Sequence, residues 1–232
     1  MPVTVLRLML GRMRLLAFAL LAGCAHQSYE PSPAHVEAPA GHVAFEDCEL
    51  ADGSTVPSSF PRASLSAAGP SQHAFACALS AQLAALGEPA LFPLPTTGEV
   101  TRVLWIRSGG HPVSVRFERQ GSTGQVRGAE TVGKGLAIPG ELLEETSNPA
   151  SADQVTTMLA RIDAARLWAP GPTPGAVPPP DAASIWVFEA ARAGEYRVRV
   201  FQRDALAHDA GFNALARALV ASSGLHVEGA VY

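Results

Sequence analysis

A chain of 232 residues, 47% apolar and 16% charged, is long enough for one domain or two small ones. Its formal charge is −4 with a single lysine, Lys134; binding a phosphate backbone needs clustered cations, so a nucleic-acid partner is excluded. No zinc-finger spacing joins Cys48 or Cys77 to a second ligand, which argues against a structural metal.

The N-terminus has three parts in order: a basic stretch with Arg7, Arg12 and Arg14, an apolar run Leu15 to Leu21, and small residues ending in Leu21-Ala22-Gly23-Cys24. That order is the layout of a secretory signal. The apolar run to Ala25 is about half the roughly 20 residues needed to cross a bilayer, so it does not read as a membrane-spanning anchor. Met9 is an alternative start that leaves a compact Arg12/Arg14 basic region.

Leu21-Ala22-Gly23-Cys24 resembles the lipobox of bacterial lipoproteins. The resemblance implies that residues 1–23 are a signal peptide, that cleavage leaves Cys24 as the mature N-terminus, and that the Cys24 thiol carries a diacylglycerol that takes up palmitate. The partner so implied is the membrane itself. Ala25 stands where an aspartate would favour inner-membrane retention, so the resemblance implies an outer-membrane protein facing the periplasm. Loss of residues 1–23, which hold three arginines and no acid, takes the formal charge from −4 to −7.

Residues 24–44 turn to Pro, Ala, His and Ser, with Pro31, Pro33 and Pro39. Such a stretch buries too little apolar surface to offset its ordering entropy and reads as a disordered tether. His26, His35 and His42 fall within it, too widely spaced to define a metal site. Residues 45–232 remain for a single domain.

With Cys24 assigned to lipid, Cys48 and Cys77 are an even pair in an oxidising compartment. A bond between them closes a loop of about 30 residues and stabilises the fold by roughly 3 to 4 kcal/mol on the chain-entropy model; the alternative is two buried thiols. The spacing of Phe75, Leu79, Leu83 and Leu86 predicts a helix from a Ser71 cap to Gly87, with Cys77 off the main stripe.

An apolar stretch from Val100 to Arg107, the turn Ser108-Gly109-Gly110-His111, and the alternation of Val113, Val115 and Phe117 with polar residues predict a β-hairpin buried on one face. Residues 125–132 read as a third strand weakened by glycine. Ser151 and Gln154 have capping-box spacing ahead of Val155, Met158, Leu159 and Ile162, predicting a helix that runs to about Trp168. The prolines that follow make residues 169–181 a stiff loop. Strands over 185–190 and 195–201 flank a second turn, and Asp209 caps a last helix that stops at Gly224. The order is helix, hairpin, helix, hairpin, helix: an α+β fold, helices packed on an antiparallel sheet made from two hairpins.

Trp105-Ile106-Arg107-Ser108 with His111-Pro112-Val113, and then Trp186, Glu189, Gly194 and Tyr196, resemble a group of uncharacterised exported bacterial proteins over about Glu99 to Leu225. The resemblance implies one continuous domain and supplies no chemistry. The chain departs from the group's pattern at Ala182-Ala183, where a Gly-rich turn is expected, and at Arg197, where histidine is common.

No nucleophile elbow, zincin helix, P-loop or dinucleotide fingerprint occurs, and no cofactor is called for. His111, in a Gly-flanked turn, is the best single candidate for proton transfer; the alternative is a turn residue bonded within its own hairpin. Glu189, among Trp186, Val187 and Phe188, is a candidate buried acid, or else an ion-pair partner for an arginine such as Arg107 or Arg197. Arg197, Arg199 and Arg203 read as a solvated face or an anion stripe, and Trp105 and Trp186 as core or a ligand groove. The sequence thus predicts a non-enzymatic envelope lipoprotein that binds or scaffolds, with a hydrolase acting on envelope material through His111 and Glu189 as the alternative.

Overall fold

Strong β-formers are concentrated between residues 99 and 131 and again between 184 and 202, and the computed structural model joins these two regions into one sheet. The structure describes residues 47–49, 53–61, 64–65, 70–92, 97–169 and 184–227. The signal segment, the tether residues 24–44 and all of the proline-rich loop beyond Ala169 lie outside them.

In chain order the elements are β1 (Asp47–Glu49), β2 (Thr55–Pro57), α1 (Pro70–Ala85), β3 (Glu99–Arg107), β4 (Val113–Gln120), β5 (Thr123–Thr131), β6 (Leu142–Ala150), α2 (Ala152–Ala164), β7 (Ser184–Arg192), β8 (Glu195–Gln202), α3 (Arg203–His208) and α4 (Ala210–Ser223). β1 and β2 form a small antiparallel pair. The other six strands form one antiparallel sheet in the order β6-β5-β4-β3-β7-β8. This is α+β, as the sequence predicts, but richer: the first hairpin is a four-stranded meander, and β3 pairs with β7 across the chain, Trp105 opposite Trp186 and Arg102 opposite Glu189.

The sheet is covered on both faces. Val103, Trp105, Val115, Phe117, Trp186, Phe188 and Phe201 pack against α2, α3 and α4. Their alternates Leu104, Ile106, Ile185, Val187, Val198 and Val200 pack against Phe75, Leu79, Leu83 and Leu86 of and just beyond α1. The expectation of a hairpin buried on one face is therefore corrected: Ser114, on the supposed solvent side, is fully buried. Strands enclosed on both sides lose the period-two signal and read as continuous apolar runs.

Local chemistry sets the helix ends. Gln154 N–H donates to Ser151 Oγ at 3.3 Å, and Ser151 N–H donates back to Gln154 Oε1 at 2.8 Å, closing the capping box of α2. That helix ends at Ala164, short of Trp168, because Arg166 takes a left-handed φ of 54°. Phe212 N–H donates to Asp209 Oδ1 at 3.0 Å, and Gly224 at φ 77° terminates α4. Below α1, Cys48 and Cys77 form a disulfide with Cα atoms 5.2 Å apart, so β1 is covalently fastened to the helix.

Candidate functional site

The C-terminus of α1 builds the most highly charged site among the described residues. Gly87, at φ 65°, lets its own N–H donate to Ala84 O at 3.0 Å and Glu88 N–H donate to Leu83 O at 2.8 Å, the Schellman arrangement that only an unhindered residue adopts easily. The chain then turns Glu88 back over the sheet. Beneath it, register aligns Glu189, Arg102, Arg116 and Arg127 in one row across β7, β3, β4 and β5. Three neighbouring guanidinium groups repel one another, and the two glutamates resolve the repulsion.

Glu189 Oε2 accepts from Arg102 Nε at 3.0 Å and Nη2 at 2.5 Å, while its Oε1 accepts from the Tyr196 hydroxyl at 2.7 Å. Glu88 Oε2 lies 3.3 Å from Arg102 Nη1 and 3.6 Å from Arg116 Nε; its Oε1 pairs with Arg127. Arg102 also donates to Pro89 O at 2.6 Å and Arg127 to Leu86 O at 3.0 Å, meeting the carbonyl end of the helix where cations are favoured. Glu118 and Glu145 complete the outer pairs, at 3.0 Å from Arg116 and 2.9 Å from Arg127.

Burial works against the Arg102 charge, but Glu189 and Glu88 outweigh it and hold the guanidinium more firmly protonated than usual. Tyr196 is half-buried with its hydroxyl turned inward; burial first, then the Glu189 charge, push its pKa well up. Arg102, Glu88 and Glu189 have no exposed side-chain surface. Chemically the row is a closed clamp joining α1 to the sheet, because its charges face each other and not solvent. Sequence reasoning offers Arg107 or Arg197 as the partner of Glu189, and the structure corrects this to Arg102. The signal was an arginine inside a strand otherwise buried on both faces.

His111 lies at a different place. Its Nδ1 is 3.5 Å from Glu130 Oε1, which also accepts from Arg107 Nη1 at 3.2 Å. The Arg107 guanidinium lies 4.9 Å from the Trp105 ring centre. Glu130 pairs with Val113, opposite Trp105, on the face toward α2 and α4, whereas Glu189 belongs to the α1 face. The structure therefore brings His111 to Glu130 and sets Glu189 on the other side of the sheet. Gly110 permits this corner, since a Cβ there would come within 2.9 Å of Arg107 Nε.

The two tryptophans are core. Their rings stack at 4.3 Å and 14°, 5% and 2% exposed, with Trp105 Nε1 donating to Ser184 Oγ at 2.9 Å. The expectation of a solvated arginine face on β8 is also corrected: Arg199 is buried and donates to Ala169 O at 2.7 Å. Burial, and then the charge of Arg197, lower its pKa. Arg203 lies beyond the strand, at the exposed start of α3.

A third polar group occupies the sheet end near the β4–β5 turn. Glu99 accepts from Trp168 Nε1 at 3.0 Å and Arg119 Nη2 at 3.2 Å, and Arg192 lies 4.1 Å from the Trp168 ring centre. An open cavity of about 380 Å³ adjoins it, lined by Thr97, Glu99, Glu118, Arg119, Gln120 and Gln125 among others. Among the described residues no three His, Cys, Asp or Glu side chains converge on a possible metal position. Cys24 lies outside the described residues. In comparisons with known proteins, no family model and no curated sequence matches the chain.

Proposed function

We propose that this chain is a lipid-anchored envelope lipoprotein: Cys24 bears the lipid, residues 24–44 are the tether, and the α+β body binds or scaffolds another envelope component without catalysis. The observation that carries the reading is Leu21-Ala22-Gly23-Cys24 behind its basic and apolar segments. Each acyl methylene buried in a bilayer contributes about 0.8 kcal/mol, so two or more chains anchor stably where one does not. Ala25 favours the outer membrane in this reading.

Support for a non-enzymatic body comes from how its charges are used. Glu189, the acid of the hydrolase alternative, is enclosed by Arg102 and Tyr196, and His111 keeps company with Glu130 on the other face. A general acid–base pair must reach the same substrate, and these two residues face apart.

Metabolic labelling with palmitate tests the anchor: label is expected in the wild-type protein and absent from Cys24→Ala, and label retained by that variant overturns the reading. Cross-linking in intact cells tests the body's role, with a defined envelope protein expected in the adduct and lipid-only adducts counting against it.

A further inference from the structure

The six-stranded sheet has two outer strands, β6 and β8, and their sequences differ in what they allow beside them. β8 carries Arg197 and Arg199. Any two-fold axis through Arg197, Val198 or Arg199 would set an arginine against an arginine, which is unfavourable for directly opposed residues.

β6, Leu142–Ala150, reads Leu-Leu-Glu-Glu-Thr-Ser-Asn-Pro-Ala. Its ladder with β5 runs from Leu142 to Ala150. Pro149 lacks an N–H and sits within that ladder, so the odd-numbered residues turn their backbone groups outward. The two-residue β4–β5 turn, with Gln120 opposite Thr123, requires the same phase. The outward backbone of Glu145 and Ser147 is thus an edge able to accept another strand, and Leu143 stands at the register shift that interrupts this phase.

The side chains are already arranged. Thr146 Oγ1 and Asn148 Nδ2 donate to Ser223 O at 2.6 and 3.1 Å. Glu144 lies 3.0 Å from His226, a bond that lowers the Glu144 pKa. Glu145 is held by Arg127 and Ser147 by Gln125. An edge ordered in this way loses little side-chain freedom on pairing.

We propose that β6 is the interface between two copies of this chain, paired antiparallel about a two-fold axis through Thr146. That axis opposes Glu144 to Asn148, Glu145 to Ser147, Leu143 to Pro149 and Leu142 to Ala150. No acid meets an acid, and the apolar end of each strand lands on the small or apolar end of the other. Val132, Ile138, Leu142 and Leu143, the exposed large apolar side chains among the described residues, all belong to β6 or the segment leading into it. The segment is fixed in place: Val132 N–H donates to Glu141 O at 2.9 Å, Lys134 N–H to Ile138 O at 2.7 Å, and Gln82 Nε2 to Leu136 O at 2.9 Å.

Alternative axes fit less well. One through Glu145 opposes that residue to itself, and one through Ser147 leaves Leu142 and Leu143 without a cross-strand partner. Pro149 and the register shift near Thr131 weaken the two ends of the edge but leave residues 144–148 intact. The contact is isologous and therefore closes at two copies. It rests on the fold alone and not on the lipid anchor.

The test uses the full chain with Cys24→Ala, so that an introduced thiol is unpaired while Cys48 and Cys77 remain bonded. Sedimentation over a rising protein concentration is expected to show a reversible dimer. Thr146→Cys is expected to give a covalent dimer under mild oxidation, because residues facing each other in a non-hydrogen-bonded pair have Cα atoms about 4.5 Å apart. Ser147→Pro, which removes an outward donor, is expected to abolish dimerisation while leaving circular dichroism unchanged. A chain that stays monomeric, species larger than two, or efficient cross-linking through Ser147→Cys but not Thr146→Cys would each overturn the proposal. If Ser147→Pro fails to fold, Ser147→Glu, which sets an acid directly opposite Glu145 of the other copy, replaces it and is read in the same way.

Discussion

The two faces of the sheet are both buried and are held in opposite ways. On the side of α2 and α4, Phe188, Phe201 and Phe212 meet at centroid distances of 4.7 to 5.8 Å beside the Trp105–Trp186 stack. On the side of α1, the apolar contacts give way toward the helix C-terminus to Glu88, Arg102, Glu189, Arg116 and Arg127. Aromatic burial is non-directional, and each ring contributes mainly through area and dispersion. A buried ion network is conditional: the whole set costs several kcal/mol per ion to desolvate, and only complete pairing repays it. One face is therefore tolerant and additive, while the other depends on every member being present.

The largest effect should come from breaking the conditional face. Arg102→Ala leaves Glu88 and Glu189 buried without their shared cation and is expected to lower unfolding free energy by about 3–5 kcal/mol, measured by urea denaturation. Combining it with Glu189→Gln should cost far less than the sum of the two single changes. Simple additivity would show that the row is not one unit.

The tolerant face gives the next effect. Phe212→Ala is expected to cost about 3 kcal/mol through lost area and a cavity, and its effect should add to that of Arg102→Ala, because the sheet separates the two sites. Strong coupling between them in a double-mutant cycle would contradict the division of labour.

Tyr196→Phe sharpens the comparison on the charged side, removing one donor to Glu189 at an expected cost of about 1–3 kcal/mol. It also carries a pH signature. The Tyr196 pKa in the folded protein is well above the ordinary 10.0; this contribution is present in full below pH 10.0 and is lost as pH rises from there toward the folded value. The wild-type unfolding midpoint should fall in that alkaline window, and Tyr196→Phe should flatten the fall. An unchanged slope would remove the tyrosine from the clamp. His111→Ala, at an exposed corner, should cost under about 1 kcal/mol, and a larger loss by thermal denaturation would make the Glu130 pair structural.

Much of the fold was legible because its signals are local. The α2 capping box, the α4 cap and stop and the Gly109-Gly110 turn all involve residues whose chemistry is visible within a short window, and the Cys48–Cys77 pair, 29 residues apart, came from the cysteine count instead. β6 was not legible: an outer strand with most of its side chains exposed has no buried face to imprint an alternation, and Pro149 argues against a strand wherever it stands. α3 has six residues, too few for a helical period. The charge row failed for another reason. Arg102 and Glu189 are 87 residues apart in sequence and meet through β3–β7 pairing, a long-range contact that no local pattern encodes. Sequence placed the acid correctly and chose arginines that prove to serve Glu130 and Tyr196 O instead.

The disulfide between β1 and α1 also decides how the body would bear a mechanical load. A pull applied anywhere N-terminal to Cys48 reaches Cys77 through a covalent bond, bypassing the short β1–β2 pair, and enters the sheet through α1 and the arginine clamp at its far end. Reduction reroutes the same force into three-residue strands that unzip one bond at a time. Tension arriving from the N-terminal side is thus transmitted to α1 and its clamp, and the extension before first rupture in a single-molecule pull should lengthen when the bond is reduced.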